Sequence, residues 1–311
     1  MKADSSNAAP QIILVGLGKM GGNMARRLAR GGVQVFGVDP QLDANDALAR
    51  EPGVTLKASL AEAIAAARQP RSLWLMLPAG AVTESTLAQL ETMLGAGDLV
   101  VDGGNANYLD SQRRGARFAG HGIEFADCGV SGGVWGLANG YCLMYGASPE
   151  AAQRLQPFVL VLAPGPQQGW VHAGAVGAGH FAKMIHNGIE YAMMQAYAEG
   201  FTLLNNKADL PINVPEVAQA WQQGSVVRSW LLDLTVDALR DRVALDAIEP
   251  FVADSGEGRW TIDESIRQGT PAPVIALSVM SRFTSQGRAD FGNRLLAMMR
   301  KGFGGHAVKT K

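Results

Sequence analysis

At 311 residues, with 47% hydrophobic and 18% charged residues, the chain is long enough for two domains and has a globular rather than a disordered composition. A net charge of −1 argues against nucleic acid as a partner and leaves any anionic ligand to local clusters of Lys and Arg. Two cysteines, Cys128 and Cys142, without CxxC or Cys/His spacing, point to a reducing, cytoplasmic setting without a metal site. No apolar run reaches the roughly 18 residues that span a bilayer, so no membrane partner is expected.

Residues 1–10 are polar and read as a flexible tail. Gln11–Val15 reads as a buried strand. It runs directly into Gly16-Leu17-Gly18-Lys19-Met20-Gly21 and then a helix over 23–30, which Gly31-Gly32 stops. The next strand, 33–38, ends at Asp39. In this context Gly16 allows a tight turn, Gly18 lets backbone approach a pyrophosphate closely, and Gly21 permits helix–strand packing. A GxGxxG placed strand–turn–helix–strand, with an acid closing the second strand, is a dinucleotide-binding signature. Asp39 can accept hydrogen bonds from both ribose hydroxyls and repels a 2′-phosphate, and Pro40-Gln41 supplies no arginine, so NAD is favoured over NADP.

Strands over 72–77 and 98–102 and helices over 59–68 and 82–94 continue the alternation, predicting a Rossmann-type doubly wound sheet over 11–176. Loops at the carboxyl ends of such strands gather over the cofactor, which places Pro78-Ala79-Gly80 and Asn105 near the nicotinamide; Asn105 also suits a simple turn. Cys128 to Gly136 reads as a glycine-rich loop in which Ser131-Gly132-Gly133 could offer N–H groups to a carboxylate or polyol. Tyr141–Gly146 reads as a further strand.

From 177 onwards the pattern is all-α, predicting a helical domain over 177–311. One long helix is expected over 179–206, where no proline occurs. Lys183, Asn187 and Glu190 share a face of it, with His186 and Tyr191 at the margins, while Phe181, Ile185, Met193 and Ala196 are free to pack against protein. A base and an acid seven residues apart on a rigid rod suit proton transfer. A helix begins after Asn213, and others are expected over 226–240, 261–268, 273–285 and 289–300. Thr261-x-x-Glu264 reads as a capping box just after Arg259. Arg282 reads as an arginine snorkelling from a buried helix, and Arg300 to His306 as a helix end and loose tail.

Taken together these residues resemble 6-phosphogluconate dehydrogenase, within the β-hydroxyacid dehydrogenase superfamily, from Gly16 to His306. Gly177-Ala178-Gly179-His180-Phe181-x-Lys183-Met184-x-His186-Asn187-Gly188-Ile189-Glu190-Tyr191 is similar to that family's catalytic signature almost residue for residue. Asp102-Gly103-Gly104-Asn105 and Val130-Ser131-Gly132-Gly133 match its substrate loops, and Glu190-Tyr191 marks the phosphogluconate branch.

The resemblance implies oxidative decarboxylation of 6-phospho-D-gluconate to ribulose 5-phosphate, with Lys183 as base and then acid and Glu190 as acid. Ser131, Gly132, Gly133, His186 and Asn187 would hold the carboxylate end, Tyr191, Arg259, Thr261 and Arg282 the phosphate, and Asn105 would also contact the substrate. Gly16, Leu17, Gly18, Met20, Gly21, Asp39, Leu77, Pro78, Ala79 and Asn105 would line the cofactor. The spacing of Arg300, Phe303 and His306 matches a tail motif that enters a neighbouring subunit's site, implying a homodimer or homotetramer. The chain is shorter than the long members, and Arg259 stands where they usually carry lysine. Two other readings are a β-hydroxyacid dehydrogenase for a small 3-hydroxy acid, and a nucleotide-sensing regulator without turnover.

Overall fold

The computed structural model describes residues 9–41, 46–304 and 307–310. The chain divides into two compact units, Met1–Met184 and Ile185–Lys311. In the first, among the described residues, eight strands form one sheet: β1 (Gln11–Val15), β2 (Gln34–Val38), β3 (Val54–Lys57), β4 (Ser72–Leu75), β5 (Leu99–Asp102), β6 (Glu124–Ser131), β7 (Cys142–Gly146) and β8 (Trp170–Gly174). Their order is β3-β2-β1-β4-β5-β6-β7-β8, parallel except where β6 meets β7. Seven helices connect them: α1 (Lys19–Arg30), α2 (Asp46–Ala49), α3 (Leu60–Ala66), α4 (Ala81–Met93), α5 (Tyr108–Ala119), α6 (Gly136–Asn139) and α7 (Pro149–Leu162).

Strand alternation produces the layers. Ile12 and Leu14 point to one face, where Met24 and Leu28 of α1 and Leu155, Phe158 and Val159 of α7 cover them. Ile13 and Val15 point to the other, against Ile64 of α3, Leu87 and Leu90 of α4 and Phe118 of α5. A sheet buried on both faces needs near-continuous apolar strands, and β1 and β5 have them. The strand order reverses between β1 and β4, so the turn after β1 opens at the switch point where such sheets bind ligands.

Helix α8 (Ala178–Asn205) runs through the division, and α9 (Val214–Trp221), α10 (Trp230–Arg240), α11 (Arg242–Asp246), α12 (Glu257–Gln268), α13 (Pro273–Ser285) and α14 (Asp290–Gly304) complete the second unit. This is the sheet-then-helices architecture that the alternation of elements predicts. A small core of Phe201, Val214, Ala218, Leu232 and Val236 holds α8, α9 and α10 together. Among the described residues, no helix is long and apolar enough to cross a membrane, and no group of three or more His, Cys, Asp or Glu is placed to hold a metal ion.

Four expectations are corrected. Cys128 to Ser131 belong to β6, because antiparallel pairing with β7 carries the strand to Ser131↔Cys142; the turn begins only at Gly132. Helix α12 starts at Glu257, so Thr261 is not a cap but sits one turn inside, donating to the Glu257 carbonyl at 2.9 Å. The helix expected over 226–240 begins at Trp230, where the Ser229 hydroxyl accepts from Leu232 N–H at 3.1 Å. Met193 and Ala196 of α8, expected to pack, are exposed in the single chain.

Candidate active site

The turn after β1 is shaped by its glycines. Gly16 adopts φ +87°, and a Cβ there would lie 2.5 Å from the Met76 carbonyl oxygen. A Cβ on Gly21 would lie 2.0 Å from the Gly16 carbonyl oxygen, so α1 packs directly on the turn. A Cβ on exposed Gly18 would meet no protein atom within 4 Å. Helix α1 has no side-chain cap and no acidic residue in its first turn, leaving its N–H groups and positive end to an anion. The Asp39 carboxylate closes the turn, accepting from Leu17 N–H at 2.7 Å and from Gln41 N–H at 2.8 Å. Leu17 is buried and Met20 half-buried beneath it. Beyond β4, Leu77 is half-buried, and Pro78 and Ala79 are exposed at the carboxyl edge of the sheet. This cradle fits the pyrophosphate and ribose of a dinucleotide.

Exposed Asn105 follows β5, whose last residue anchors a buried ion-pair network. Asp102 accepts from Arg114 at 2.6 Å, both 1% exposed, and Arg114 also donates to Glu84 at 2.9 Å. The three arginines 113, 114 and 117 hold the Glu84 carboxyl below its ordinary value against the opposing cost of burial. At the end of β6, Ser131 and Gly132 are half-buried and Gly133 is exposed. Gly132 and Gly133 adopt φ +127° and +53°, values open to glycine, so the turn presents backbone rather than side chains. Tyr141 supports it from below: a Cβ on Gly136 would lie 1.9 Å from the Tyr141 ring. Burial pushes the Tyr141 phenol up to about 12.

Helix α8 carries the signature residues. Lys183, half-buried, lies in the first unit, where its stem fits against Gly129 of β6: a Cβ on Gly129 would be 2.2 Å from Lys183 Cβ. On the second unit's stretch of α8, His186 Nδ1 lies 3.0 Å from Asn187 Oδ1 and 3.8 Å from Glu190 Oε2. The His186 and Glu190 side chains are each 39% exposed, open to a ligand.

Tyr191 is buried at the centre of a second-unit cluster. Its hydroxyl lies 3.0 Å from Ser255 Oγ and donates to Glu257 at 3.4 Å. The Arg282 guanidinium stacks 3.4 Å from the ring centroid and donates to the Ala253 carbonyl at 2.6 Å. This corrects the snorkelling reading of Arg282: the ring holds it in place. Thr261 packs on Gly188 of α8, where a Cβ would lie 2.9 Å from the threonine. Arg259 pairs with the buried Asp254 carboxylate at 2.5 Å and faces the Phe283 ring.

The second unit therefore gathers His186, Asn187 and Glu190, and separately Tyr191, Arg282 and Thr261 with Arg259 alongside. Arg300 is exposed near the end of α14; His306 lies outside the described residues. No role was read from the sequence for Asp127 or Gly129, which pack against the start of α8, or for His180 within the signature. The available signal was Asp127 itself, an acid in the apolar strand Phe125-Ala126-Asp127-Cys128. Sequence reasoning also missed Asp254, which nothing in the local pattern distinguishes from a loop aspartate.

Comparison with known proteins covers both units. A profile of the NAD binding domain of 6-phosphogluconate dehydrogenase matches residues 11–176, and a profile of the C-terminal domain of that enzyme matches residues 179–306. An NAD(+)-dependent, decarboxylating 6-phosphogluconate dehydrogenase of Haloferax volcanii is 38% identical over 303 residues, spanning 97% of this chain and 99% of the relative. The enzyme of the same description from Bacillus subtilis is 33% identical over 286 residues, which make up 88% of this chain but 61% of that longer protein. Among solved structures, 6-phosphogluconate dehydrogenase of Plasmodium falciparum shares the fold with a TM-score of 0.83 at 23% identity, covering 97% of this chain and 66% of the other.

Proposed function

The chain belongs to the 6-phosphogluconate dehydrogenase family, and we propose that it converts 6-phospho-D-gluconate to ribulose 5-phosphate and CO2 using NAD. The observation that carries this reading is α8: one uninterrupted helix bears Lys183, His186, Asn187 and Glu190, and its next residue, Tyr191, stacks on Arg282 in a cluster, with Arg259 alongside, suited to phosphate. A small 3-hydroxy acid has no use for that cluster.

When bound in the cradle of Gly16, Gly18, Gly21 and Asp39, the nicotinamide supplies the acceptor for hydride from substrate C3. Lys183 enters neutral and takes the C3 hydroxyl proton at its Nζ. The 3-keto acid then loses CO2, since the ketone accepts the electrons of the breaking C1–C2 bond. Protonated Lys183 donates to that ketone oxygen and stabilises the negative charge that builds there. Glu190 delivers a proton to the carbon that lost CO2, which becomes C1 of the product. Ser131, Gly132 and Gly133 offer hydroxyl and backbone donors to the carboxylate end, joined by His186 and Asn187, and Asn105 also contacts the substrate. Tyr191, Thr261, Arg259 and Arg282 take the phosphate, where the planar guanidinium fork suits paired oxygens.

NAD is the assigned cofactor because the Asp39 carboxylate stands at the end of β2, where a 2′-phosphate would meet negative charge. Comparing kcat/KM for NAD and NADP, with 6-phosphogluconate and with 3-hydroxyisobutyrate, tests substrate and cofactor together. The expected result is turnover of 6-phosphogluconate with NAD preferred at least about tenfold, a difference of about 1.4 kcal/mol. Preference for NADP, or for the unphosphorylated acid, contradicts it.

The functional unit is a homodimer or homotetramer in which Arg300 and His306 complete a neighbouring site. Exposed Leu295, Leu296, Met298 and Met299 on α14 support association, because apolar side chains at this spacing form a stripe. Light scattering is expected to give at least a dimer, and a monomer with full activity contradicts it.

A further inference from the structure

We infer that strand β6 is the positioning device for Lys183, with Asp127 anchoring the start of α8 and Gly129 setting the depth of the lysine stem. The inference rests on the assignment of Lys183 as the base, and all of its parts lie in the first unit.

Helix α8 has no acidic residue in its first turn. Its N-terminal N–H groups are met instead from the sheet. Asp127, wholly buried, accepts from Gly177 N–H at 2.5 Å and from His180 N–H at 2.6 Å. A carboxylate at that end satisfies orphan donors and opposes the positive pole of a 28-residue helix. Burial pushes the Asp127 carboxyl above its ordinary value, while the two N–H groups and His180 pull it back. His180 is fixed in turn, its Nδ1 2.7 Å from Ser111 Oγ.

Depth is set by missing side chains. A Cβ on Gly179 would lie 2.6 Å from the Met144 carbonyl oxygen and 2.7 Å from that of Asp127, so the helix rests backbone to backbone on β6 and β7. Lys183 follows Gly179 by four residues and therefore emerges on the same face, one turn along. It meets β6 again at Gly129, where a Cβ would be 2.2 Å from Lys183 Cβ and 2.8 Å from Cγ. Asp127 and Gly129 share one face of β6 by strand alternation, whereas Cys128 points into the core on the other. One strand thus fixes both the origin of the helix and the lateral position of the base.

The test compares Gly129→Ala, Asp127→Asn and Cys128→Ala, with Lys183→Met as reference, each checked for folding by melting temperature and NAD affinity. Gly129→Ala is expected to lower kcat about a hundredfold, the cost of a misplacement of about 1 Å, with the NAD Kd changed less than about twofold. The pH at which kcat/KM rises is expected to move in this variant, because the surroundings of the amine change. Cys128→Ala is expected to lower the melting temperature while leaving kcat within about threefold and the pH profile in place. A change that merely weakened the fold would affect these two variants alike. If Gly129→Ala does not fold, Asp127→Asn carries the test: kcat is expected to fall at least about tenfold with less than a threefold change in the KM for 6-phosphogluconate, because the anchor lies away from the substrate. Folded Gly129→Ala and Asp127→Asn with parental kcat, beside an inactive Lys183→Met, overturn the positioning inference alone. An active Lys183→Met overturns the base assignment instead.

Discussion

Replacing Lys183 with methionine is expected to lower kcat by about three to four orders of magnitude while NAD still binds. A positioned general base or acid contributes about 10²- to 10⁴-fold, and Lys183 has both roles at one oxygen, first taking its proton and then stabilising its charge. A loss of that size corresponds to about 4 to 5.5 kcal/mol of barrier. Methionine preserves the unbranched stem that fits against Gly129, so the helix keeps its seat on β6 and the change isolates the amine. The measurement pairs steady-state kcat with NAD affinity. Activity within about tenfold of the parent, or about 1.4 kcal/mol, excludes Lys183 as the base, and loss of NAD binding shows the variant to be a folding defect.

The largest effect on stability is expected from Arg114→Leu. Arg114 and Asp102 are each 1% exposed and 2.6 Å apart, and Asp102 also accepts from Gly104 N–H at a longer 3.2 Å. Removing one member of a buried pair leaves an uncompensated charge and typically costs about 3–5 kcal/mol, even where the pair itself contributes little net stability. The neighbour on β6 makes matters worse, because Asp127 lies in register beside Asp102 and the two carboxylates repel. Arg113→Leu is the control. Arg113 also reaches Glu84, at 2.8 Å, but its side chain is 62% exposed, and a pair of that kind is worth about 0–1 kcal/mol. Urea unfolding of both variants checks the contrast. Equal losses mean that the Asp102 charge is relieved by some route other than Arg114.

Elements with strong local signals were legible in the sequence. Strands β1, β2, β4 and β5 are short apolar runs bounded by glycine, proline or acid, and α8 is a long periodic stretch without proline. Elements whose local and tertiary signals disagree were not. Strand β3 has four residues and alternates too briefly to register. Helix α7 contains Pro157, a residue that argues against helix locally, yet Leu155, Phe158 and Val159 bury enough apolar surface to hold it. Helix α12 begins at Glu257, four residues before the expected start at 261; the flanking Gly256 and Gly258 disfavour helix locally, and Gly258 is there because a Cβ would lie 2.8 Å from the Tyr191 ring. Apolar periodicity marks a face but not what covers it, so the exposure of Met193 on α8 could not be read.

The candidate site divides the same way. The turn glycines, Asp39 and the α8 signature are contiguous in sequence, and contiguity is what a motif records. The grip on Arg282 is not: it depends on Tyr191, 91 residues earlier, stacking on the guanidinium, and on the Ala253 carbonyl. Asp127 reaches Gly177 and His180 across 50 and 53 residues. Such partners are set by how β6 and α8 pack, and only the folded chain displays them.

The central claim is oxidative decarboxylation, and the most direct measurement is CO2 released against NADH formed, using 6-phosphogluconate labelled at C1. One labelled CO2 per NADH is expected, with neither appearing when NAD or substrate is left out. NADH without labelled CO2 would mean an oxidation that leaves the carboxylate in place, and would overturn the assignment as a decarboxylating enzyme.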